Sequence, residues 1–384
     1  MIRVLIDGRV NARDGIGRYT ACLAPALREA AGTGIHLTVL TPTGTPRYSL
    51  AEGTELARAA ADARADVIHS LDFRIPSDPV PVPVVATVHD VLRLDHRHCY
   101  ANDQFGHRFG DDGLALLRDA VRSLRDLPIS PSPAALPEGA SLHAEFYARM
   151  LAWTCLQARH VVTPTVAVAM QLARQVPLAA RPVPVPLGVD HMTAGTTGGT
   201  AKPFGIAPGY LLYVGQARRH KGLPELIAAY QRSRASVSGI PLVCAGRDFE
   251  PGTGATAEIE DALGHNAIAV GEVPDRVLRD LYSQAAALIH LATHEGFGLT
   301  PLEAMACGTP VIASDIPVLR ETLGQHAELA DPGNALDAAR AIDKVLAGPG
   351  DRQARDARMR WASNYTWLRH AESITSLYRG CQPG

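Results

Sequence analysis

The sequence has no apolar run approaching the roughly 20 residues that a membrane helix needs, so no integral membrane segment is expected. It also lacks an excess of charge of either sign. A formal net charge of −2 gives no global reason to expect nucleic acid or an anionic membrane as a partner, and any basic site is local. Closely paired cysteines are missing too. Cys22, Cys99, Cys155, Cys244, Cys307 and Cys381 lie far apart in no metal-ligand spacing, which suits reduced thiols in a cytosolic protein. No cluster of ligand residues marks a metal, and no repeat of solenoid period is present. The opening "MIRVLIDGRV" has too short an apolar run for a signal peptide and reads as a buried strand followed by a polar turn, so a cytoplasmic location is expected.

What is present is length and alternation. A chain of 384 residues is about two to three domains long, and a hydrophobic content of 46% suffices for two cores. From residue 210 apolar runs alternate with helical patterns. "YLLYVG" (210–215), "PLVCAG" (241–246), "AIAVGEV" (267–273), "ALIHLA" (287–292) and "PVIAS" (310–314) read as strands buried on both faces. Leu223, Leu226, Ile227 and Tyr230 have helical spacing after the first of them, and further helices are expected at 275–285 and 300–307. The first half repeats the theme with "IRVLID", a helix from about 17, "IHLTVL" (35–40), a helix near 51–63, "DVIHS" (66–70) and "VPVVATV" (82–88). The expectation is an α/β protein of two facing Rossmann-like domains, residues 1–190 and 206–365. They are joined by the Gly- and Thr-rich linker "HMTAGTTGGTAKPFG" (191–205). Residues 95–140 break the pattern with "DHRHCYANDQFGHRFGDD", one amphipathic helix and "LPISPSPAALPEG". Such an insertion is a functional loop or disorder.

Ligands of open α/β sheets bind beyond the carboxyl ends of strands, where helix starts offer N–H groups to anions. Three loops have that address. In "GRVNARDGIGRYT", Gly15 and Gly17 either admit a ligand close to the backbone or only make a turn. In "VGQARRHKG", Lys221, with Arg218 or Arg219 beside it, either neutralises a phosphate or is a solvated basic loop. In "HEGFGLTPLE", Thr300, Pro301 and Glu303 form T-P-L-E, which reads as a capping box with proline at the first helical position. Glu295 escapes that explanation because it precedes the helix and follows a buried strand. A carboxylate beside a phosphate site suggests a ligand with hydroxyls as well as phosphate. His89 and Asp90 follow "VPVVATV" and share the same kind of position in the first domain.

"YVGQARRHKGLPELIAAY", "VGEVPDRVLRDLYSQA" and "HEGFGLTPLEAMACGTPVIASDIPVLRE" closely resemble family 4 of the retaining glycosyltransferases, nucleotide-sugar-dependent enzymes of the GT-B fold. The likeness is nearly continuous from about 210 to 380, and the first half agrees at "GIGRYT", "DVIHSLDF", "VATVHD" and "PLGVD". "YTWLRHAESITSLYRG" resembles the family's terminal helix, which implies that about 366–384 returns to the N-terminal, acceptor-binding domain. The resemblance implies a donor set of Gly15, Gly17, Gly215, Arg218, Arg219, Lys221, Val273, Gly296, Phe297, Gly298, Leu299, Thr300 and Glu303. In it Glu295 holds sugar hydroxyls, Lys221 and the amides of Gly298, Leu299 and Thr300 hold the diphosphate, and Glu303 takes the ribose. Val273 touches the base, and His89 lines the pocket beside the transferred sugar. His89, Glu295 and Lys221 are the catalytic candidates; Asp90, His107 and Arg108 are the acceptor candidates. The group His96, Arg97, His98, His107 and Arg108 either favours an anionic acceptor or decorates a loop.

Two departures stand out. Many members carry arginine where this chain has Gln216, and the stretch between "HDVLRLDH" and "HAEFYARML" is longer than usual, which points to an unusual acceptor. The implied reaction moves a sugar from a nucleoside diphosphate to a hydroxyl, by same-face attack with the leaving phosphate oxygen taking the proton. Domain closure would exclude water. No metal or other cofactor is implied; the partners are a nucleotide-sugar donor and a hydroxyl acceptor, either a small secondary metabolite or aminocyclitol, or a glycan or lipid-linked sugar. Rival classes are a GT-B epimerase or phosphorylase, and a non-catalytic nucleotide-sugar binder.

Overall fold

A computed structural model describes residues 1–9, 15–95, 102–129, 141–193, 203–348 and 351–382, with the side chains of 95, 102–109 and 203 outside the description. The chain divides into two compact units, Met1–Leu187 with Trp367–Gly384, and Gly188–Thr366.

The first unit is one parallel sheet of β1 (Ile2–Asp7), β2 (Ile35–Leu40), β3 (Val67–Ser70), β4 (Val84–Thr87), β5 (His160–Thr163) and β6 (Val183–Pro184), in the order β2-β1-β3-β4-β5-β6. Helices cover both faces of its central strands, so β3 and β4 are buried at every residue, apolar at Val67, Ile68, Val84, Val85 and Ala86 and polar at His69, Ser70 and Thr87. The register sets Val4 against Val67 and Ile68 against Val84. Helix Leu142–Gln157 buries Phe146, Tyr147, Leu151 and Trp153 in the same core as Leu5, Ile68 and Ala86. Two helical pieces meet inside Asn102–Arg125, at Gly110 with φ 72°, where the sequence suggests one amphipathic helix.

The C-terminal helix Trp367–Gly380 packs on helix Gly15–Ala31 through Trp367, Ala371, Ile374 and Tyr378, at spacings that share one face. A buried polar chain fixes it. Tyr378 OH lies 2.6 Å from His69 Nδ1, His69 Nε2 lies 3.1 Å from Thr87 Oγ1, and Tyr19 OH lies 3.2 Å from both Thr87 Oγ1 and His370 Nε2.

The second unit repeats the plan with β7 (Leu211–Val214), β8 (Leu242–Ala245), β9 (Ala267–Gly271), β10 (Ala287–His290), β11 (Val311–Ser314) and β12 (Glu328–Ala330), all parallel. Its order is β12-β11-β10-β7-β8-β9. The winding reverses between β7 and β10, and crevices for ligands form at that point in such sheets. Leu211, Tyr213, Leu226, Tyr230, Phe249 and Ile289 fill the core on one side. The boundary between units falls after Leu187, ahead of the segment 191–205 that the sequence suggests as linker. The reason is local: Val189 N donates to Tyr365 O at 3.0 Å, and Met192 in the short turn Asp190–Met192 is fully buried.

Candidate functional site

The loop after β7 is pinned from several sides. Tyr213 OH donates to Gln216 O at 2.8 Å, Ala217 N donates to Asp248 Oδ2 at 2.9 Å, and Thr293 N donates to His220 O at 2.8 Å. The last of these ties the loop to the segment after β10. Gly222 closes it with φ +71°, and a Cβ there would lie 2.2 Å from Leu291 O, so only glycine lets the backbone pass this close. The turn Arg219–Lys221 thereby delivers Lys221 to the switch point, while Arg218 and Arg219 stay exposed.

Glu295 comes to the same place from β10. Lys221 Nζ donates to Glu295 Oε1 at 2.5 Å, and His290 Nε2, at the last residue of β10, donates to the same oxygen at 2.8 Å. Burial alone pushes the Glu295 carboxyl up, but the Lys221 charge and the His290 hydrogen bond outweigh it and hold the group well below the usual carboxylate range. The site therefore contains a fixed anion and a fixed cation, each neutralising the other.

The next residues build a helix start. Gly298 takes φ +84° and helix Leu299–Ala306 begins directly after it. Its first-turn N–H groups have no carbonyl four residues back and carry the positive end of the helix. Phe297 is buried with its ring 5.8 Å from that of Tyr365, so it anchors the turn.

The capping-box expectation for T-P-L-E is corrected here. The helix begins one residue before Thr300, with Gly298 as its N-cap, so Pro301 and Glu303 are the third and fifth helical residues. The Glu303 carboxylate faces away from the cap: Oε1 accepts from His191 Nε2 at 3.0 Å and Oε2 from Tyr282 OH at 3.1 Å, in a buried setting.

Of the remaining donor candidates, Gly215 directly follows β7 with its N–H donating to Ala245 O at 3.0 Å, and Gly296 lies between Glu295 and Phe297. Val273, half-buried, follows β9, which is separated from β7 by β8. Gly15 and Gly17 open helix Gly15–Ala31 in the first unit; residues 10–14 before them lie outside the described residues. His89 follows β4, with Nε2 donating to Leu71 O at 2.9 Å and its ring edge-on to Tyr19 at 4.7 Å. Asp90 accepts from Leu92 N at 2.9 Å. His107 and Arg108 lie on helix Asn102–Arg125 with side chains outside the description, and His96, Arg97 and His98 lie outside the described residues altogether.

His290, His191 and Tyr282 escape the sequence reading. For His290 a signal exists, a lone polar residue closing the apolar strand "ALIH". For His191 and Tyr282 none does, since their roles depend on contacts with Glu303 from 112 and 21 positions away.

Two doubly wound parallel sheets, one carrying a cation, a carboxylate and a helix start at its switch point, have the topology of a GT-B fold. Residues 204–364 match the family Glycosyl transferases group 1, and this stretch is a glycosyltransferase group 1 domain. It is similar to the glycogen synthase of Mycobacterium tuberculosis, 34% identical over 185 residues that make up 46% of this chain and 44% of that protein. The chain thus matches less than half the length of that curated relative. The whole chain has the fold of sucrose-phosphate synthase from Thermosynechococcus elongatus, with a TM-score of 0.68 at 19% identity and 99% of both chains covered. It likewise shares the fold of Anabaena HepE, solved in complex with UDP and glucose, with a TM-score of 0.67 at 15% identity and 100% of both chains covered. Among the described residues no helix is long and apolar enough to cross a membrane.

Proposed function

We propose that the chain is a retaining family 4 glycosyltransferase that moves a hexosyl group from a nucleoside-diphosphate sugar to a hydroxyl acceptor. The observation that carries this reading is the meeting of Lys221 and Glu295 at the β7/β10 switch point, next to the helix start at Gly298. A cation and helix amides suit a diphosphate, and a carboxylate suits the hydroxyls of a sugar. The HepE complex with UDP and glucose supports a donor of this chemistry.

In this reading Lys221, with the amides of Gly298, Leu299 and Thr300, binds the diphosphate, and Arg218 and Arg219 add charge at the rim. Glu295 binds sugar hydroxyls, Glu303 the ribose and Val273 the base. Each Glu303 oxygen already accepts one hydrogen bond and has a second lone pair for a ribose hydroxyl. The sugar C1–O bond to the diphosphate breaks as the acceptor oxygen bonds to C1 on the same face, and the acceptor proton passes to the departing phosphate oxygen. Negative charge grows on that leaving group, so preorganised cations and amides lower the barrier without a metal. Gly15 and Gly17 line the phosphate and acceptor side, His89 lines the pocket beside the transferred sugar, and Asp90 serves the acceptor.

The acceptor is a small hydroxylated molecule such as an aminocyclitol; the likeness to glycogen synthase favours a glycan as the second reading. The test supplies nucleotide sugars with and without acceptors and follows nucleoside diphosphate release, then the anomeric coupling constant of the product. Release that depends on acceptor, with retained configuration, is expected. An inverted product overturns the retaining mechanism, and sugar isomerisation without acceptor supports an epimerase instead.

A further inference from the structure

We propose that His290 is a positioning residue, holding one oxygen of Glu295 so that the other is presented to the donor sugar. This rests on the donor reading above. His290 closes β10, is 4% exposed and pairs with Ala313 of the neighbouring strand β11. The surrounding strand residues are apolar and buried, and an imidazole in such a place costs desolvation unless it has a partner. Its partner is Glu295 Oε1 at 2.8 Å, the oxygen that Lys221 also contacts at 2.5 Å.

Two donors on one oxygen give the carboxylate a direction. The terminal torsion of a glutamate is broad, so a single flexible ammonium does not define where the second oxygen points. Lys221 is also the group that a diphosphate draws toward itself. Once it does, the imidazole, carried on a strand rather than on a flexible stem, is the contact that keeps Oε1 in place. The hydrogen bond that orients the sugar-binding group thus comes from a residue that does not touch the ligand, which is how supporting shells set site geometry.

His290→Leu, His290→Gln and the wild type are compared by calorimetry against UDP, GDP, ADP and dTDP and their hexose conjugates. The expected result is a loss of about ten-fold or more in affinity for the nucleotide sugar in His290→Leu, the range of one hydrogen bond to a charged group, with affinity for the matching nucleoside diphosphate unchanged. His290→Gln, which keeps a donor at similar reach, restores most of the loss. Equal weakening of both ligands assigns His290 to general structure and overturns the proposal, as does an unchanged nucleotide-sugar affinity in His290→Leu. A wild type that binds none of the nucleotides or conjugates overturns the donor reading itself, and this inference with it.

Discussion

Lys221 and Glu295, from the segments that follow the adjacent strands β7 and β10, meet at 2.5 Å although 74 positions separate them. Neither is fully exposed, with side-chain exposures of 25% and 12%, so removing one leaves a poorly solvated charge behind. Lys221→Met is expected to cost about 1–3 kcal/mol of stability, and adding Glu295→Gln to recover part of it. Denaturant melts of the two single variants and the double variant check this through their coupling energy. Strictly additive costs contradict a mutual neutralisation.

Glu303 is held by two donors rather than by a helix cap. Tyr282→Phe removes one of them and is expected to cost about 1 kcal/mol, while Glu303→Ala removes both hydrogen bonds and costs about 1–3 kcal/mol. Glu303→Ala also weakens nucleoside binding if the carboxylate meets the ribose. A Glu303→Ala variant that melts with the wild type contradicts this account, since the two hydrogen bonds to Glu303 would then contribute nothing to stability.

Gly222 sets the position of Lys221. Alanine there meets the Leu291 carbonyl at 2.2 Å in a backbone conformation of φ +71°. Gly222→Ala is expected to lose about 1–3 kcal/mol and to reduce transfer activity together with it, because relief of the clash moves the turn that carries Lys221. Activity at the wild-type level in a stably folded variant would separate that turn from the site.

The first unit is expected to be acid-sensitive. Burial holds His69 down at about 3 and His370 at about 4, against an ordinary value of 6.5. Below pH 6.5 the unfolded chain takes up protons at both positions and the folded chain does not until about 4 and 3, so stability falls as pH drops through this window. His370→Gln flattens that dependence between pH 6.5 and about 4. Stability measured against pH reads the slope directly; an unaltered slope removes His370 from the account.

Much of this was legible in the sequence because α/β alternation writes itself in apolar runs. "YLLYVG", "PLVCAG" and "ALIHLA" correspond to β7, β8 and β10, each apolar because both faces are covered. Lys221 and Glu295 could be singled out because each follows such a run. The helix cap could not be read correctly, since T-P-L-E matches a capping box by spacing alone, and the choice of cap depends on whether Gly298 takes a left-handed backbone. His191 begins the segment 191–205, which reads as a linker because it is short of large apolar groups and rich in Gly and Thr, and nothing in that composition points to its hydrogen bond with Glu303. Patterns of period two and four carry no information about contacts of that range.

The central claim is that Lys221 binds a diphosphate at the β7/β10 switch point. Calorimetric titration of the wild type and Lys221→Ala with a nucleoside diphosphate and with its parent nucleoside tests it most directly. The account predicts a loss of about ten-fold or more for the diphosphate in the variant and no change for the nucleoside. Equal affinities of both proteins for the diphosphate would contradict it.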